Sequence, residues 1–525
     1  MKRLWPLLCL LVALPLVAQR TSKPSVKFGP EFKIPGKSTL DDVIGYDNTG
    51  FYVLETNRWG SKYTLRLFNH QMALVKSAEV NLDYEGKRRR FEFSVQFNGR
   101  IYLFTSFANQ KLKKNLLFVE AINPSTLKPD GKMTKVAEID YSRFGRWNIG
   151  EFGYDLSRDK SKLMIHFDLP SAKGENERFG FKVFEEDLKV VWGKDVTLPY
   201  DANLFDIERF AVSNDGDAYL LGLRFEDKRR VKRQGNPNYH YEVLAYSGNG
   251  EDPNKYTIQL GDRFITDMQI EISDDGDILC AGFYSDLGTF SIKGVYFLRV
   301  DGLSKDIEVR SFKPFTIDDI VQHMSERKAK RTQAKMDKGK NVELYNYELD
   351  DLIVRSDGGV VMVGEQFYVR VVTVTTTDSK GNTSTRTTYY YYYKDIIVVN
   401  IEPDGSIAWV QRIPKLQQSV DDGGYYSSYV LTVVDDRLIF VFNDDPRNVN
   451  YRSPGKPHLY TRGENSAVLA VELDPQGNQN RYTLVPPRGR TTPTTRPKVC
   501  EQANANELVL FAEWKKTRQF ARVTF

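Results

Sequence analysis

The sequence predicts an all-β protein, a single β-propeller of eight four-stranded blades, with seven as the alternative count. Three observations lead there. Aromatic residues make up 13% of the 525 positions, an enrichment that favours strands. A strand–turn–strand pattern built on Asp-Gly or Asn-Gly recurs at intervals of roughly 50 to 80 residues, the mark of a repeat architecture. Each turn is followed by an almost wholly apolar run, as expected of a strand buried on both faces.

The N-terminus comes first. Lys2 and Arg3 form a positive region, Leu4 to Val17 an apolar one, and Leu16-Val17-Ala18 a small-residue cut. That is the order of a secretory signal, so residues 1–18 are expected to be removed and 19–525 to form the propeller. The apolar run of about 14 residues is short of the ~20 that span a bilayer. Cys9 lies within it rather than at its end, which argues against a lipoprotein. No later stretch is apolar enough to cross a membrane. Only Cys280 and Cys500 remain after processing. Both sit in strand-like runs and are expected as buried thiols rather than a disulfide framework.

Among the repeats, Ala211-Val-Ser-Asn-Asp-Gly-Asp-Ala-Tyr-Leu-Leu-Gly222, Glu271-Ile-Ser-Asp-Asp-Gly-Asp-Ile-Leu-Cys-Ala-Gly282 and Ile353-Val-Arg-Ser-Asp-Gly-Gly-Val-Val-Met-Val-Gly364 are the clearest. Residues 95–104 and 433–442 are degenerate copies. Their turn residues tolerate the positive φ of a tight hairpin. A second, wetter hairpin follows, as in 396–409 and 180–192, both ending in Trp. Two hairpins make a four-stranded unit that cannot bury both faces alone; stacking such units does. Copies are placed at 38–82, 91–140, 150–198, 204–260, 264–313, 345–415 and 427–485. The tail from Lys498 lacks a strand that Val26 to Ile34 can supply. Pairing of the two termini would then close the propeller and remove its open edge.

The pairing of Arg355-Ser-Asp-Gly-Gly-Val-Val-Met-Val-Gly364 with Asp395 to Trp409 resembles the repeats of secreted bacterial propellers of the Bacteroidetes type, with Ser-Asp-Gly-Gly…Gly and Asp-Gly…Trp signatures. The resemblance implies an envelope or extracellular protein with no fixed enzymatic role, and it carries no catalytic residues.

By strand count, the long insertions fall between second and third strands or between blades, at one end of the blades. They are basic: Lys87, Arg88, Arg89 and Arg90 in one link; Lys111, Lys113 and Lys114; and Lys228, Arg229, Arg230, Lys232 and Arg233 in another loop. The rest of the chain is correspondingly negative. A face of one sign attracts anions. Two insertions have structure of their own. In 315–342, residues 316–337 read as one helix, with Asp318 and Asp319 in the first turn and Arg327, Lys328, Lys330 and Arg331 late, as the helix dipole prefers; Ile317, Ile320, Val321 and Met324 form its apolar stripe. Segment 371–393 alternates β-branched and polar residues about a turn at Lys380-Gly381-Asn382, and reads as a long hairpin. Tyr389, Tyr390, Tyr391, Tyr392 and Tyr393 at its base could contact a partner, since Tyr supplies area at low entropy cost.

His70, His166, His240, His323 and His458 have no metal-ligand spacing, and His166 reads as a core residue. There is no G-x-S-x-G elbow, Walker loop or dinucleotide fingerprint. The acidic turns 214–217 and 274–277 lack the ligand series of a Ca²⁺ loop. No metal or cofactor is expected. The favoured reading is a noncatalytic, exported binding or scaffold subunit in the periplasm, at the outer membrane or outside the cell. Its partner would be an envelope protein or outer-membrane complex, or an anionic glycan or lipopolysaccharide, met through the basic loops; nucleic acid is not expected. The alternative is a carbohydrate-active enzyme, a hydrolase or lyase, with paired carboxylates in a central funnel.

Overall fold

The computed structural model describes residues 24–525 other than 34–37, 58, 145–147, 249–251, 290, 303, 305, 453–454, 464, 488, 490–493 and 515–516. The expected signal sequence, 1–18, lies outside the described residues. The fold is almost entirely β, built of short antiparallel sheets in a propeller-like manner.

Seven sheets run in chain order, each with its strands in the sequence first, second, third, fourth. Sheet one extends from Thr39–Asp47 to Leu74–Val80, sheet two from Arg90–Phe97 to Thr134–Asp140, and sheet three from Phe152–Leu156 to Lys189–Asp201. Sheet four extends from Phe205–Val212 to Asn254–Ile258 and sheet five from Phe264–Ile272 to Ile307–Pro314. Sheet six runs from Tyr347–Val354 to Ile407–Ile413, and sheet seven from Val430–Val434 to Gln479–Val485. These are the seven copies read from the repeats. Sheet eight joins the chain ends: Glu501–Asn504, Glu507–Trp514 and Thr517–Thr524 are completed by Ser25–Phe28, with Ser25 opposite Thr524 and Phe28 opposite Ala521.

Local chemistry explains the elements. Asn98 and Gly99 both have positive φ, 48° and 73°, in the turn between the first two strands of sheet two. The degenerate turn in sheet seven reaches the same geometry with Asp435 and Asp436, at 47° and 62°, as Asp tolerates better than most residues. The second strands are buried on both faces; in Ile278–Ser285 of sheet five every residue is buried. Such strands need cover from both sides, and the apolar clusters supply it. Successive sheets share cores, as Phe179, Phe210 and Leu220 do between sheets three and four, and Phe283, Leu349 and Met362 between sheets five and six. A further core joins sheets seven, eight and one. The tryptophans of the second motif tie sheets together: Trp192 Nε1 donates to Gly216 O in the first turn of sheet four at 2.8 Å, and Trp409 Nε1 to Pro475 O in sheet seven at 3.0 Å.

Helix 316–337 is not continuous. It is divided into α1, Ile317–Val321, and α2, Glu326–Met336. The break holds His323, which is buried with Nδ1 2.8 Å from the Tyr451 hydroxyl and Nε2 3.3 Å from Arg412 O. Thr316 and Asp319 form a reciprocal capping box at the start of α1, and Ile320 packs into the core shared by sheets five and six. The hairpin is present: Val360–Thr377 pairs with Thr383–Ile401, and Gly381 has φ 81° in its turn. Cys280 and Cys500 are unpaired and buried. Among the described residues no helix is long and apolar enough to cross a membrane.

Phe520 sits where both chain ends meet sheet one. It is fully buried, with its ring centroid 4.7 Å from that of Phe68, 4.8 Å from Phe51 and 5.1 Å from Phe511. Phe520→Ala is expected to cost about 3–5 kcal/mol, measured as a lower urea midpoint.

Candidate functional site

The first strands of successive sheets lie side by side and speak through polar side chains. Tyr46 of sheet one accepts the Gln96 amide of sheet two on its carbonyl and donates its N–H to Gln96 Oε1. Phe93 of sheet two packs on Tyr154 of sheet three. Arg209 of sheet four reaches Glu271 of sheet five at 2.8 Å. Gln269 Nε2 donates to Leu349 O of sheet six at 3.0 Å. The Tyr429 hydroxyl, before the first strand of sheet seven, donates to Asp350 at 2.7 Å. Gln502 of sheet eight meets Val433 of sheet seven, and the Tyr46 hydroxyl lies 3.4 Å from Glu501.

These strands carry acids where apolar residues would pack. Enclosure away from water disfavours the charged form. It pushes Asp155 up to about 6, and Glu271, Asp350 and Glu501 up to about 7.

Between sheets three, four and five the acids surround a cavity of about 770 Å³. The first strands give Tyr154, Asp155, Asp206, Glu208, Arg209 and Asp267; Asp168 and Glu177 come from the ends of the second and third strands of sheet three. By strand order this is the end at which the long insertions emerge. Glu177 is pushed up to about 7, first by desolvation and then by Asp168 and Asp206, despite Arg229. Burial also raises Asp168, Glu208 and Asp267, with Asp206 and Asp267 adding to the effect on Glu208. His166 lines the cavity rather than the core. Its imidazole stacks on Phe210 at 4.2 Å, desolvation lowers it to about 4, and it has no hydrogen-bond partner among the described residues. Gly153 faces it, where a Cβ would stand 2.3 Å from Cε1. At neutral pH the cavity therefore offers carboxylic acid, carboxylate and neutral imidazole together. Among the described residues no set of three His, Cys, Asp or Glu converges as a metal ion requires.

The basic residues singled out from sequence are distributed differently. Lys87 and Arg88 are exposed on a two-stranded ribbon with Asp83 and Tyr84. Arg89 is buried, bound to Glu120 at 2.5 Å and Thr105 at 2.9 Å, so it is part of the interior. Arg90 lies 3.2 Å from Glu92. In the insertion of sheet four, Lys228 is exposed, Arg230 and Arg233 face Asp227 at 2.9 and 3.9 Å, and Lys232 lies over the Phe264 ring. Arg229 turns toward the cavity: Nη1 and Nη2 grip Asp206 at 2.7 and 2.5 Å, and Nε donates to Asn203 O. Of the tyrosines, Tyr393 is buried against Phe367, Tyr392 stacks on Tyr368, and Tyr390 and Tyr391 pair with 419–420; Tyr389 is exposed. Sequence reasoning missed the cavity residues. The signal available was a carboxylate within most of the predicted first strands, as in Ile207-Glu-Arg-Phe210 and Thr266-Asp-Met-Gln-Ile-Glu271.

No family model matches the chain. Over 163 residues it is 24% identical to the lipid II:glycine glycyltransferase of Staphylococcus aureus, a stretch that takes in 31% of this chain and 37% of that enzyme. The chain thus matches little more than a third of the length of these curated relatives. Among solved structures it is similar to prolyl oligopeptidase B from Galerina marginata, with a TM-score of 0.37 at 10% identity, covering 93% of this chain and 55% of that one. The acylaminoacyl peptidase of Pyrococcus horikoshii gives 0.33 at 11%, over 91% and 58%. A polysaccharide lyase, an ulvan lyase, gives 0.35 at 9%, over 81% and 90%.

Glu177 holds its proton more tightly when folded than when unfolded. Its contribution to stability is present in full below the ordinary carboxyl value of about 4.5 and is lost as pH rises through about 7. Glu177→Gln keeps the neutral form at every pH. The melting temperature of this variant is expected to fall less between pH 5 and pH 8 than that of the unaltered chain. Equal slopes in a fluorimetric melt would contradict the assignment.

Proposed function

We propose that the chain is an exported, eight-bladed propeller, closed by its two ends, that hydrolyses a glycan in the acidic cavity as a central funnel. Support for the closed arrangement comes from contacts between neighbouring first strands, such as Gln269 with Leu349 and Tyr429 with Asp350, and from Tyr46 with Glu501, which links sheet one to sheet eight. The N-terminal signal pattern supports export, and the repeats support kinship with secreted bacterial propellers.

One observation carries the catalytic reading: in an open cavity, a carboxyl pushed up to about 7 adjoins other carboxylates. Glycoside hydrolysis needs that division, an acid to protonate the departing oxygen and a carboxylate to activate water or attack the sugar. Glu177 is the acid. Asp206, gripped by Arg229, is the carboxylate. Tyr154 offers an exposed aromatic face for a sugar ring. Release of reducing ends from a panel of oligosaccharides tests this. Glu177→Gln and Asp206→Asn should each lower kcat by about 10²–10⁴-fold with unchanged circular dichroism. Full activity in Glu177→Gln would sink the assignment.

A second reading, a binding subunit of an outer-membrane-associated complex, is favoured by the hairpin. Its strands run on with Val369, Val371, Val374 and Tyr389 exposed. Shortening 371–388 to a tight turn should then abolish co-purification of envelope partners while leaving glycan turnover intact. The basic loops support this reading less, because Arg89, Arg90, Arg229 and Arg230 already face acids of the same chain.

A further inference from the structure

The walls of the cavity are strongly one-sided in charge. Asp155, Asp168, Glu177, Asp206, Glu208 and Asp267 all line it. Arg209 is the single Lys or Arg among the described lining residues, and its guanidinium is already 2.8 Å from Glu271. Arg229, arriving from the insertion, has both terminal nitrogens on Asp206. His166 is neutral near physiological pH, since burial lowers it to about 4. Among the described lining residues no cation is left to receive an anionic substrate. A uronate or sulfate entering here would meet like charges at short range in a partly dehydrated space, where their repulsion is least screened.

The acids are also not focused on a point. No three of the described ones converge as a metal ion would require, so their charge is spread along the walls. Distributed acceptors suit a ligand with many donors at separate positions, as a sugar with hydroxyl and ammonium groups has. The chain itself shows what the wall accepts, because the group seated on Asp206 is the two-pronged cation of Arg229.

We infer that the cavity selects glycans bearing free amino groups, their ammonium groups pairing with carboxylates spread along the walls, Glu208 and Asp267 among them, and excludes uronates and sulfated or phosphorylated sugars. This rests on the glycan reading above and names its substrate class.

Calorimetric titration of the mature chain separates the two. The probes are a hexamer of β-1,4-linked glucosamine, its fully N-acetylated counterpart, a galacturonate hexamer and hexalysine. The glucosamine hexamer is expected to bind at least about tenfold more tightly than the acetylated one, and the galacturonate hexamer not to bind. Glu208→Gln with Asp267→Asn should erase that preference. Asp267 also accepts the Leu349 N–H, so Glu208→Gln alone serves if the double variant is unstable; it should reduce the preference. Equal binding of the acetylated hexamer would overturn the amino-group selection and leave the glycan site standing. Hexalysine binding as tightly as the glucosamine hexamer, or no sugar binding at all, would overturn both.

Discussion

The middle strands of each sheet are apolar on both faces, and the rest of the structure follows from that. A strand such as Ile278–Ser285, buried throughout, has no face to give to water. One sheet cannot satisfy it; a neighbour is needed on each side. The clusters that join sheet to sheet meet the need, with Phe179 and Phe210 at one junction and Phe283 and Leu349 at another. The same demand applies to the last sheet, whose outer edge would be open without Ser25–Phe28. Hence Ser25–Phe28 and Phe32–Lys33 meet Thr517–Thr524 beside one aromatic group, Phe32, Phe51, Phe68 and Phe520.

Once the middle strands hold the sheets together, the first strands are released from packing at alternate positions. There the chain places acids. Asp350 receives the Tyr429 hydroxyl, and Asp267 the Leu349 N–H. Each bond partly compensates the loss of water. The remainder of the cost appears as raised affinity for protons at Asp155, Glu271, Asp350 and Glu501. Strand propensity and sheet packing do not ask for these residues. Their presence at the least stable positions for a carboxylate marks the region as a functional candidate.

What could be read in the sequence was what local chemistry writes. Asn98-Gly99 announces its turn, and the Asp435-Asp436 turn is found by analogy because Asp also tolerates positive φ. The strand supplied by residues near Val26 was legible from a count that came out one short. The continuity of the helix in 315–342 was misread for a physical reason. His323 has ordinary helical flanks, but its partners, Tyr451 and Arg412, lie far away in sequence and draw it out of the helix. Arg89 was misread likewise: in a run of four cations nothing local distinguishes the one that Glu120 pulls inside. The cavity needed both kinds of knowledge. An acid in a first strand is visible one repeat at a time, but that Asp155, Glu208 and Asp267 face a common space depends on sheets three, four and five standing side by side.

Counting charge along the chain separates basic insertions from an acidic remainder, as if two independent surfaces were present. Arg229 shows that they are parts of one electrostatic arrangement. It belongs to the basic insertion of sheet four, yet its fork closes on Asp206 in the cavity wall. The pairing sets Asp206 apart from Glu177. The one is held by a guanidinium, while the other feels Asp168 and Asp206 more than it feels Arg229. Two acids on the same wall are thereby placed in unlike environments. On the proposed reading the loop's cation then shapes the reactivity of the cavity, while its neighbours Arg230 and Arg233 face Asp227 of the same loop.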